Sequence, residues 1–359
     1  MKITFFIQNM SRPGGSERVT SILANELVKY GYEISIVSIC GNQTSFFPID
    51  KTIPIHVLIN TESVNNRKEF LNVLKELMKY YKKSKPDLVI DIFASLSIYT
   101  ILLKKIFGFK NLTWEHFNYK VNTGMNKIGR KFAVWFSNQI ITLTETDMRF
   151  YESENRIHGG IDYIYNPSPY QDVILDQERK PYIISVGRLS HEKGFDRLIK
   201  VWKIVEDQCN WNLLIFGDGE EKETLQRQID QFGLKRIKLM GTVKNIDYYY
   251  RQASLYVSTS RYEGLPMTMI EAQSFGIPIV SYDFYSGPRE IITDDVDGYI
   301  INEKSQSEKA KIMASKIIEL IRDDNKRYRM MVAAKENSRR FDIGTIGEQW
   351  KKIIEELLK

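Results

Sequence analysis

A chain of 359 residues is longer than one ordinary hydrophobic core organises, so two domains are expected. Apolar residues make up 43% and charged residues 27%, which excludes a disordered chain, and no run approaches the ~20 apolar residues that span a bilayer. The net charge of +6 belongs to residues 1–170, with 21 Lys and Arg against 15 Asp and Glu, while the remainder holds 30 of each; an anionic surface would therefore meet the first half.

In chain order, short β-rich runs alternate with amphipathic helical ones, the pattern of a parallel sheet with helices on both faces. Lys2–Ile7 is too short for a signal-peptide core, and Ile3–Ile7 reads as a first strand. A helix over Ser16–Tyr30 follows, ended by Gly31, then strands at Glu33–Ile39 and Ile53–Ile59. A helix over Arg67–Lys83 would bury Phe70, Leu71, Leu74, Leu77, Met78 and Tyr81. Asp87–Asp91, Asn111–Glu115 and Gln139–Leu143 read as strands, separated by helices at Leu96–Phe107 and Asn126–Phe136. Asn166-Pro-Ser-Pro169 and the polar stretch to Lys180 read as a linker. The alternation then restarts, with strands at Tyr182–Val186, Trp211–Phe216, Ile237–Met240, Ala253–Val257, Ile277–Ser281 and Tyr299–Ile301. Helices are expected at Phe195–Glu206, Glu221–Phe232 and from Pro266, and a helical tail at Gln306–Arg322, Asp324–Arg339 and Thr345–Leu358. The fold class is α/β, two Rossmann-like doubly wound domains facing across a cleft. Cys40 and Cys209 are too few for a disulfide frame or a zinc cluster and suit a reducing cytoplasm.

Ser258–Gly276 is the most informative stretch. A strand, a Gly264 loop and a helix follow one another, and Pro266 suits the first helical position. The amides of Met267, Thr268 and Met269 would then point free beside the positive end of the helix dipole, a phosphate site bracketed by Glu263 and Glu271. Three glycine turns at strand ends could also meet phosphate. Ser11–Glu17 contains Gly14-Gly15 and is not a Walker loop. Val186–Gly194 carries two cations, Arg188 and Lys193, able to clamp a diphosphate or to form a solvated basic turn. Phe216-Gly-Asp-Gly219 fails as a dinucleotide fingerprint and reads as a tight turn.

The string Val186-Gly-Arg-Leu-Ser-His-Glu-Lys-Gly-Phe-Asp-Arg-Leu-Ile199, Phe216–Gly219, Gly241-Thr-Val243, and Glu263 with seven residues before Glu271 together resemble the retaining GT-B glycosyltransferases of the glycosyl transferases group 1 family (glycosyltransferase family 4). Gly14-Gly15, Glu115-His116 and Asn166-Pro167 match weaker marks. The resemblance implies an acceptor-binding domain at 1–168, a nucleotide-sugar-binding domain at 169–342, and a helix at 343–359 returning to the first domain. It implies that Arg188 and Lys193 hold the diphosphate, with Gly15 and the stretch Gly264, Leu265, Pro266, Met267 and Thr268 completing the cradle through its amides, Pro266 having none. Glu271 would accept from the ribose hydroxyls, Val243 would meet the base through its backbone, and the catalytic candidates Glu263 and His116 would face the sugar and the incoming hydroxyl. Tyr282–Glu290 resembles a branch that often uses uridine-linked galactose or N-acetylhexosamines, although Phe284-Tyr285 stands where a Cys-Pro pair is frequent.

The expected activity is a retaining, metal-independent transfer of a hexose, from a UDP-sugar such as UDP-galactose or a UDP-N-acetylhexosamine, to a saccharide or lipid-linked acceptor in cell-surface polysaccharide or glycoconjugate synthesis. No cofactor beyond the donor substrate and no metal is expected. Asp295-Val-Asp297 formally matches an Asp-x-Asp metal motif but sits in a turn before Gly298. A nucleotide-sugar epimerase and a non-catalytic carbohydrate- or membrane-binding module are the alternatives. The cation pair and two spaced glutamates argue against both. His116 at a strand end could equally be a satisfied core histidine. Arg67–Lys85 holds seven Lys and Arg against two Glu, and Ile98–Lys131 seven against one, interleaved with aromatics. Such surfaces can dock on anionic lipid or simply be solvated, so the expected place is the cytoplasm, peripheral at the inner face of the membrane where the lipid reading holds. Nucleic acid is not expected, since no binding module is present.

Overall fold

The computed structural model describes residues 1–65, 67–119, 124–154, 156–175 and 178–359. They form two compact units, Met1–Pro169 with Phe341–Lys359, and Tyr170–Arg340.

The first unit begins with β1 (Lys2–Ile7), α1 (Gly15–Lys29), β2 (Glu33–Ser38), β3 (Ile55–Val57), α2 (Phe70–Ser84) and β4 (Leu88–Ile92). It continues with α3 (Ser97–Phe107), β5 (Lys110–Glu115), α4 (Gly124–Phe136), β6 (Gln139–Thr142), α5 (Glu145–Glu154) and β7 (Gly160–Tyr163). The strands form a seven-stranded sheet in the order β3-β2-β1-β4-β5-β6-β7, and their pairings are parallel. Central strands read as unbroken apolar runs because both faces are covered; β1 and β4 are buried almost throughout.

The second unit runs β8 (Lys180–Val186), α6 (Phe195–Glu206), β9 (Asn212–Phe216), α7 (Lys222–Gln231), β10 (Ile237–Gly241), α8 (Ile246–Gln252) and β11 (Ala253–Ser258). It then runs α9 (Met267–Ser274), β12 (Ile279–Tyr282), α10 (Pro288–Ile291), β13 (Gly298–Ile301), α11 (Gln306–Arg322) and α12 (Asp324–Asn337). Its six-stranded parallel sheet has the order β10-β9-β8-β11-β12-β13. Trp202, Leu213, Leu255 and Ile317 belong to its core. The last helix, α13 (Ile343–Leu358), belongs to the first unit and packs on α1; its Trp350 meets Trp114 of β5 edge-on, with ring centroids 4.8 Å apart.

Several expectations need correction. Helix α2 starts at Phe70, not Arg67, because the Asn65 side chain accepts from the Arg67 N–H (3.1 Å) and holds the preceding residues in a turn. It buries Val73, Leu77 and Tyr81, whereas Leu71 is 77% exposed and Met78 is also exposed. Strand β3 is shorter than Ile53–Ile59, since Asp50 accepts from Thr52 N–H and hydroxyl and shapes a turn at its entry. Helices α5, α8 and α10 and strand β7 were not expected; α5 and β7 carry too few apolar positions to register as periodic.

One buried network has a pH consequence. Asp91 of β4 is fully buried, and its Oδ2 accepts from the Thr100 hydroxyl at 2.6 Å and the Asn111 amide at 3.5 Å. Burial pushes its pKa up to about 7, opposed by these hydrogen bonds and by Lys104. A raised folded-state pKa stabilises below the unfolded value, and that contribution is lost as pH rises through about 7. Unfolding free energy should therefore fall as pH rises from about 4 to about 7, by on the order of a few kcal/mol in all, and level off above that. In Asp91→Asn, chemical denaturation should show that slope flattened; an unchanged slope would contradict the assignment.

Candidate active site

In the second unit, the pairing of β8 with β11 sets the turn after Val186 beside the loop after Ser258. Gly194 has φ +65°, and a Cβ there would lie 2.3 Å from Thr259 O, so only glycine fits. The Thr259 hydroxyl donates to Gly194 O (2.8 Å), and Arg261 N–H donates to Glu192 O (2.7 Å). Arg261 adds a two-pronged bond to Asp196, 2.8 Å on each arm, and a third to His191 O (2.7 Å). This brace holds Asp196 below its ordinary carboxylate pKa, the Arg261 hydrogen bonds and charge outweighing the burial that raises it.

The brace brings Lys193 and Glu263 together. Their side chains are largely buried and form an ion pair, and the Ser260 hydroxyl donates to the other Glu263 oxygen at 2.7 Å. The Lys193 stem crosses Gly187, where an added Cβ would lie 3.1 Å from it. Arg188 stands apart, mostly exposed, and reaches Glu220 at 3.2 Å. The two predicted cations are thus not equivalent: Lys193 is fixed and Arg188 is displayed to solvent.

Gly217-Asp-Gly219 supports this turn from behind. A Cβ at Gly217 would lie 1.9 Å from Gly187 O, and one at Gly219 2.4 Å from Leu189 O. The tight-turn reading fits, and these glycines serve the close approach of two backbones. Val243 lies in the loop between β10 and α8, half-buried.

Pro266 does not occupy the first helical position. It is the N-cap of α9, with ψ 98°, and Met267 begins the helix. Met269 N–H already donates to Pro266 O at 3.0 Å, so its amide is engaged inside the helix and only those of Met267 and Thr268 precede it. Gly264 and Leu265 complete the loop, Leu265 buried. Gly287, φ +122°, lets the Phe284–Ser286 loop close on Pro266, since a Cβ there would lie 2.5 Å from the proline ring.

Glu271 is buried and accepts from the Tyr250 hydroxyl at 3.0 Å. Burial, then the charge of Glu271, pushes the Tyr250 phenol pKa well up, so it stays a donor. Tyr256 OH lies 2.8 Å from the Thr268 hydroxyl. Ser260, Arg261, Asp196 and Tyr250 were missed from sequence. The spacing of Ser260 three residues before Glu263 was a usable signal; Tyr250 had none, because its helix was not foreseen.

In the first unit, Gly15 opens α1, and a Cβ there would meet nothing within 4 Å. His116 follows β5 among Phe93 and Trp114, ring centroids 5.4 and 4.4 Å away. The ring is half-buried, yet its Nε2 is closed to solvent and has no hydrogen-bond partner among the described residues. Burial pushes its pKa down to about 3, which keeps the imidazole neutral. Among the described residues this Nε2 therefore lacks the partner that a satisfied core histidine would have. Phe93 beside it has φ +93°, a strained value for a side-chain-bearing residue. Arg130 is buried, with a 2.9 Å ion pair to Glu115 and bonds to the carbonyls of Phe117, Asn118 and Tyr119. It shapes the loop after His116 and is not part of a basic surface.

Among the described residues no cluster of His, Cys, Asp or Glu could hold a metal ion. Asp297 accepts from Thr293 N–H (2.8 Å) and Gln273 (3.0 Å), while Asp295 pairs with Lys326 (3.2 Å), which is turn chemistry. No helix among these residues is long and apolar enough to cross a membrane.

The family model for glycosyl transferases group 1 matches residues 170–337. An uncharacterised glycosyltransferase of Haemophilus influenzae is 31% identical over 359 residues, covering 98% of this chain and 99% of the relative. The chain belongs to the glycosyl transferases group 1 family. It is an enzyme that transfers sugar. A Campylobacter jejuni α-1,4-N-acetyl-D-galactosaminyltransferase, named for a diphospho-undecaprenol-linked acceptor, is 27% identical over 372 residues, 99% of each chain. Anabaena HepE, solved in complex with UDP, superimposes with a TM-score of 0.77 at 19% identity, covering 99% of this chain and all of HepE. The fold is that of the GT-B glycosyltransferases.

Arg261→Ala should loosen the Lys193 turn from the Glu263 loop. Removing the guanidinium of this bidentate pair should cost about 1–3 kcal/mol of unfolding free energy. Lysine, lacking the planar fork, should recover less than half of it. Full recovery in Arg261→Lys, read by denaturant titration, would refute the brace.

Proposed function

We infer that this glycosyltransferase is retaining and metal-independent, and moves a hexose from a UDP-sugar to a saccharide or lipid-linked acceptor in polysaccharide or glycoconjugate synthesis at the cytoplasmic face of the membrane. The observation that carries this reading is the fixed Lys193–Glu263 pair beside the N-terminus of α9. A diphosphate arriving there would meet the Lys193 ammonium, the displayed Arg188 guanidinium and the amides of Gly264, Leu265, Met267 and Thr268. These donors stabilise the charge that builds as the anomeric carbon–oxygen bond breaks, the service a metal supplies elsewhere. Glu263 would then lie between phosphate cation and sugar, and Glu271 would accept from ribose hydroxyls alongside Tyr250. Val243 would meet the base.

The acceptor oxygen would bond to the anomeric carbon on the face the diphosphate leaves, passing its proton to the departing phosphate oxygen. Gly15 and His116 belong to the first unit, and their roles toward donor and acceptor rest on the family resemblance. Neutral His116, with Nε2 unpartnered among the described residues, suits a hydrogen bond to a hydroxyl. The UDP-linked complex of HepE, and a relative named for N-acetylgalactosamine transfer, support UDP-galactose or a UDP-N-acetylhexosamine as donor.

A membrane surface also suits the first unit. Helices α2, α3 and α4 pack side by side. They expose Leu71, Ile106, Ile128, Trp135 and Phe136 among the exposed Lys75, Lys82, Lys105, Lys127 and Lys131. Helices α3 and α4 hold no acidic residue. Lys104 is not part of this surface, since its ammonium is held by Asn111 and Asn138 at 3.1 Å each. Apolar anchors in a field of lysines fit anionic lipid.

A panel of UDP- and GDP-sugars should show UDP release that depends on added acceptor. Lys193→Ala and Glu271→Ala should each weaken UDP binding about tenfold or more, whereas Glu263→Ala should chiefly lower kcat. Wild-type UDP affinity in both of the first two variants would remove the site assignment. Sedimentation should show the protein on phosphatidylglycerol-containing vesicles and not on phosphatidylcholine alone, weakened by salt. Trp135→Ser should reduce binding about tenfold; salt-insensitive binding, or none, would reject the lipid reading.

A further inference from the structure

Helices α6 and α11 of the second unit pack on each other, and a cavity of about 210 Å³ lies between them. Asp196, Arg197 and Lys200 of α6 line it, with Arg261, Tyr282 and the start of α11. None of the residues given a role toward the donor is among them. Helix α9, whose N-terminus is proposed to face the diphosphate, packs on α12 instead.

The charges in this cavity do not balance. Both carboxylate oxygens of Asp196 are taken by Arg261, at 2.8 Å each. Arg197 has no such partner: among the described residues nothing bonds its guanidinium, and no carboxylate lies within ion-pair distance of it. Burial, and then the Arg261 charge, push Arg197 below the ordinary arginine pKa, with Asp196 opposing them only in part. Lys200, three residues on and so on the same helix face, is exposed and unpaired among the described residues. An anion entering here would relieve the repulsion between two guanidinium groups as well as gain contacts of its own.

Tyr282, the last residue of β12, adds a neutral donor. It is 1% exposed and lines the cavity, yet no described residue bonds its hydroxyl. Burial pushes the phenol up to about 12, with the nearby Arg197 charge opposing, so the hydroxyl keeps its proton. A buried polar group left without a partner costs stability, and a ligand that satisfies it recovers that cost. The Lys309 ammonium, 5.6 Å from the centre of the Tyr282 ring, strengthens the positive field. Two unanswered cations suit a dianion, and a fork, a point charge and a hydroxyl suit several oxygens on one centre. A phosphoryl group meets both conditions and a carboxylate neither.

We propose that this cavity is a second anion site, which binds a phosphoryl dianion, as inorganic phosphate or a small phosphate monoester, on Arg197, Lys200 and the Tyr282 hydroxyl. The bound anion offsets the Arg197 charge that repels Arg261, and so reinforces the Arg261–Asp196 fork that braces the Lys193 turn. Full-length protein is titrated calorimetrically with inorganic phosphate and with methyl phosphate, with and without saturating UDP, at about pH 8, where both are dianionic. At least one of them should bind saturably with UDP present and raise Tm. Arg197→Gln, Lys200→Gln and Tyr282→Phe should weaken it, the first about tenfold, and should leave UDP affinity in phosphate-free buffer unchanged. Tyr282→Phe removes only a hydroxyl and Lys200 is exposed, so these two variants keep the fold. Tighter binding of inorganic phosphate would identify the free ion as the ligand, and tighter binding of methyl phosphate an ester; either order supports the site. No saturable binding of either anion, binding that UDP abolishes, or wild-type affinity in all three variants would overturn it. Phosphate binding with this mutational pattern in a protein that binds no UDP would keep the site and reject the UDP-sugar reading instead.

Discussion

The candidate site of the second unit depends on one ion pair held away from water, Lys193 with Glu263. Removing one partner of such a pair leaves the other charge buried and uncompensated, which costs more than the pair is worth intact. The pair therefore needs its two loops kept in register. Gly194 against Thr259, the Arg261–Asp196 fork and the Ser260 hydroxyl on the other Glu263 oxygen do this from three directions. Glycines at 187, 217 and 219 then let neighbouring turns approach closely enough to support the lysine stem. On the proposed reading, an incoming diphosphate would find its cation already positioned, with little ordering left to do on binding.

Fold and site were legible in the sequence to different depths. Period-two and period-3.6 patterns located most strands and long helices, because β1, β4, β11 and α6 bury so much apolar surface that pattern and packing agree. They failed where burial is shallow, at α5 and β7, and misjudged α2, whose Leu71 and Met78 flank the buried line rather than lie on it. The start of α9 was placed only in part. Proline just before α9 was visible, but its extended ψ and the engagement of the Met269 N–H by its carbonyl were not. Asp196 and Arg261, 65 residues apart, carry no sequence signal of pairing.

Basic residues in the first unit show why composition alone misleads. One count of Lys and Arg there covers three physical situations. Arg130 is a buried clamp that satisfies Glu115 and three carbonyls and so shapes the loop after His116. Lys104 is half-engaged, its ammonium on Asn111 and Asn138 beside the buried Asp91 network. Lys75, Lys82, Lys105, Lys127 and Lys131 are among those left on the surface. Only these last contribute to a field that an outside partner can feel, because buried charge is answered locally.

The two glutamates of the Glu-x7-Glu spacing end up chemically different for a similar reason. Glu263 faces an ammonium and a serine hydroxyl, in a loop whose backbone is fixed by the neighbouring turn. Glu271 sits one helical turn inside α9, buried, with a phenol that burial keeps protonated. A carboxylate beside a fixed cation responds to the arrival or departure of phosphate charge. One held by a neutral phenol in a buried pocket is a steady acceptor for hydroxyl protons and changes little as charge moves nearby. The same residue type at two ends of one short segment thus suits the changing end of a nucleotide sugar and its unchanging end, and the difference is made by Lys193 and Tyr250 rather than by the glutamates themselves.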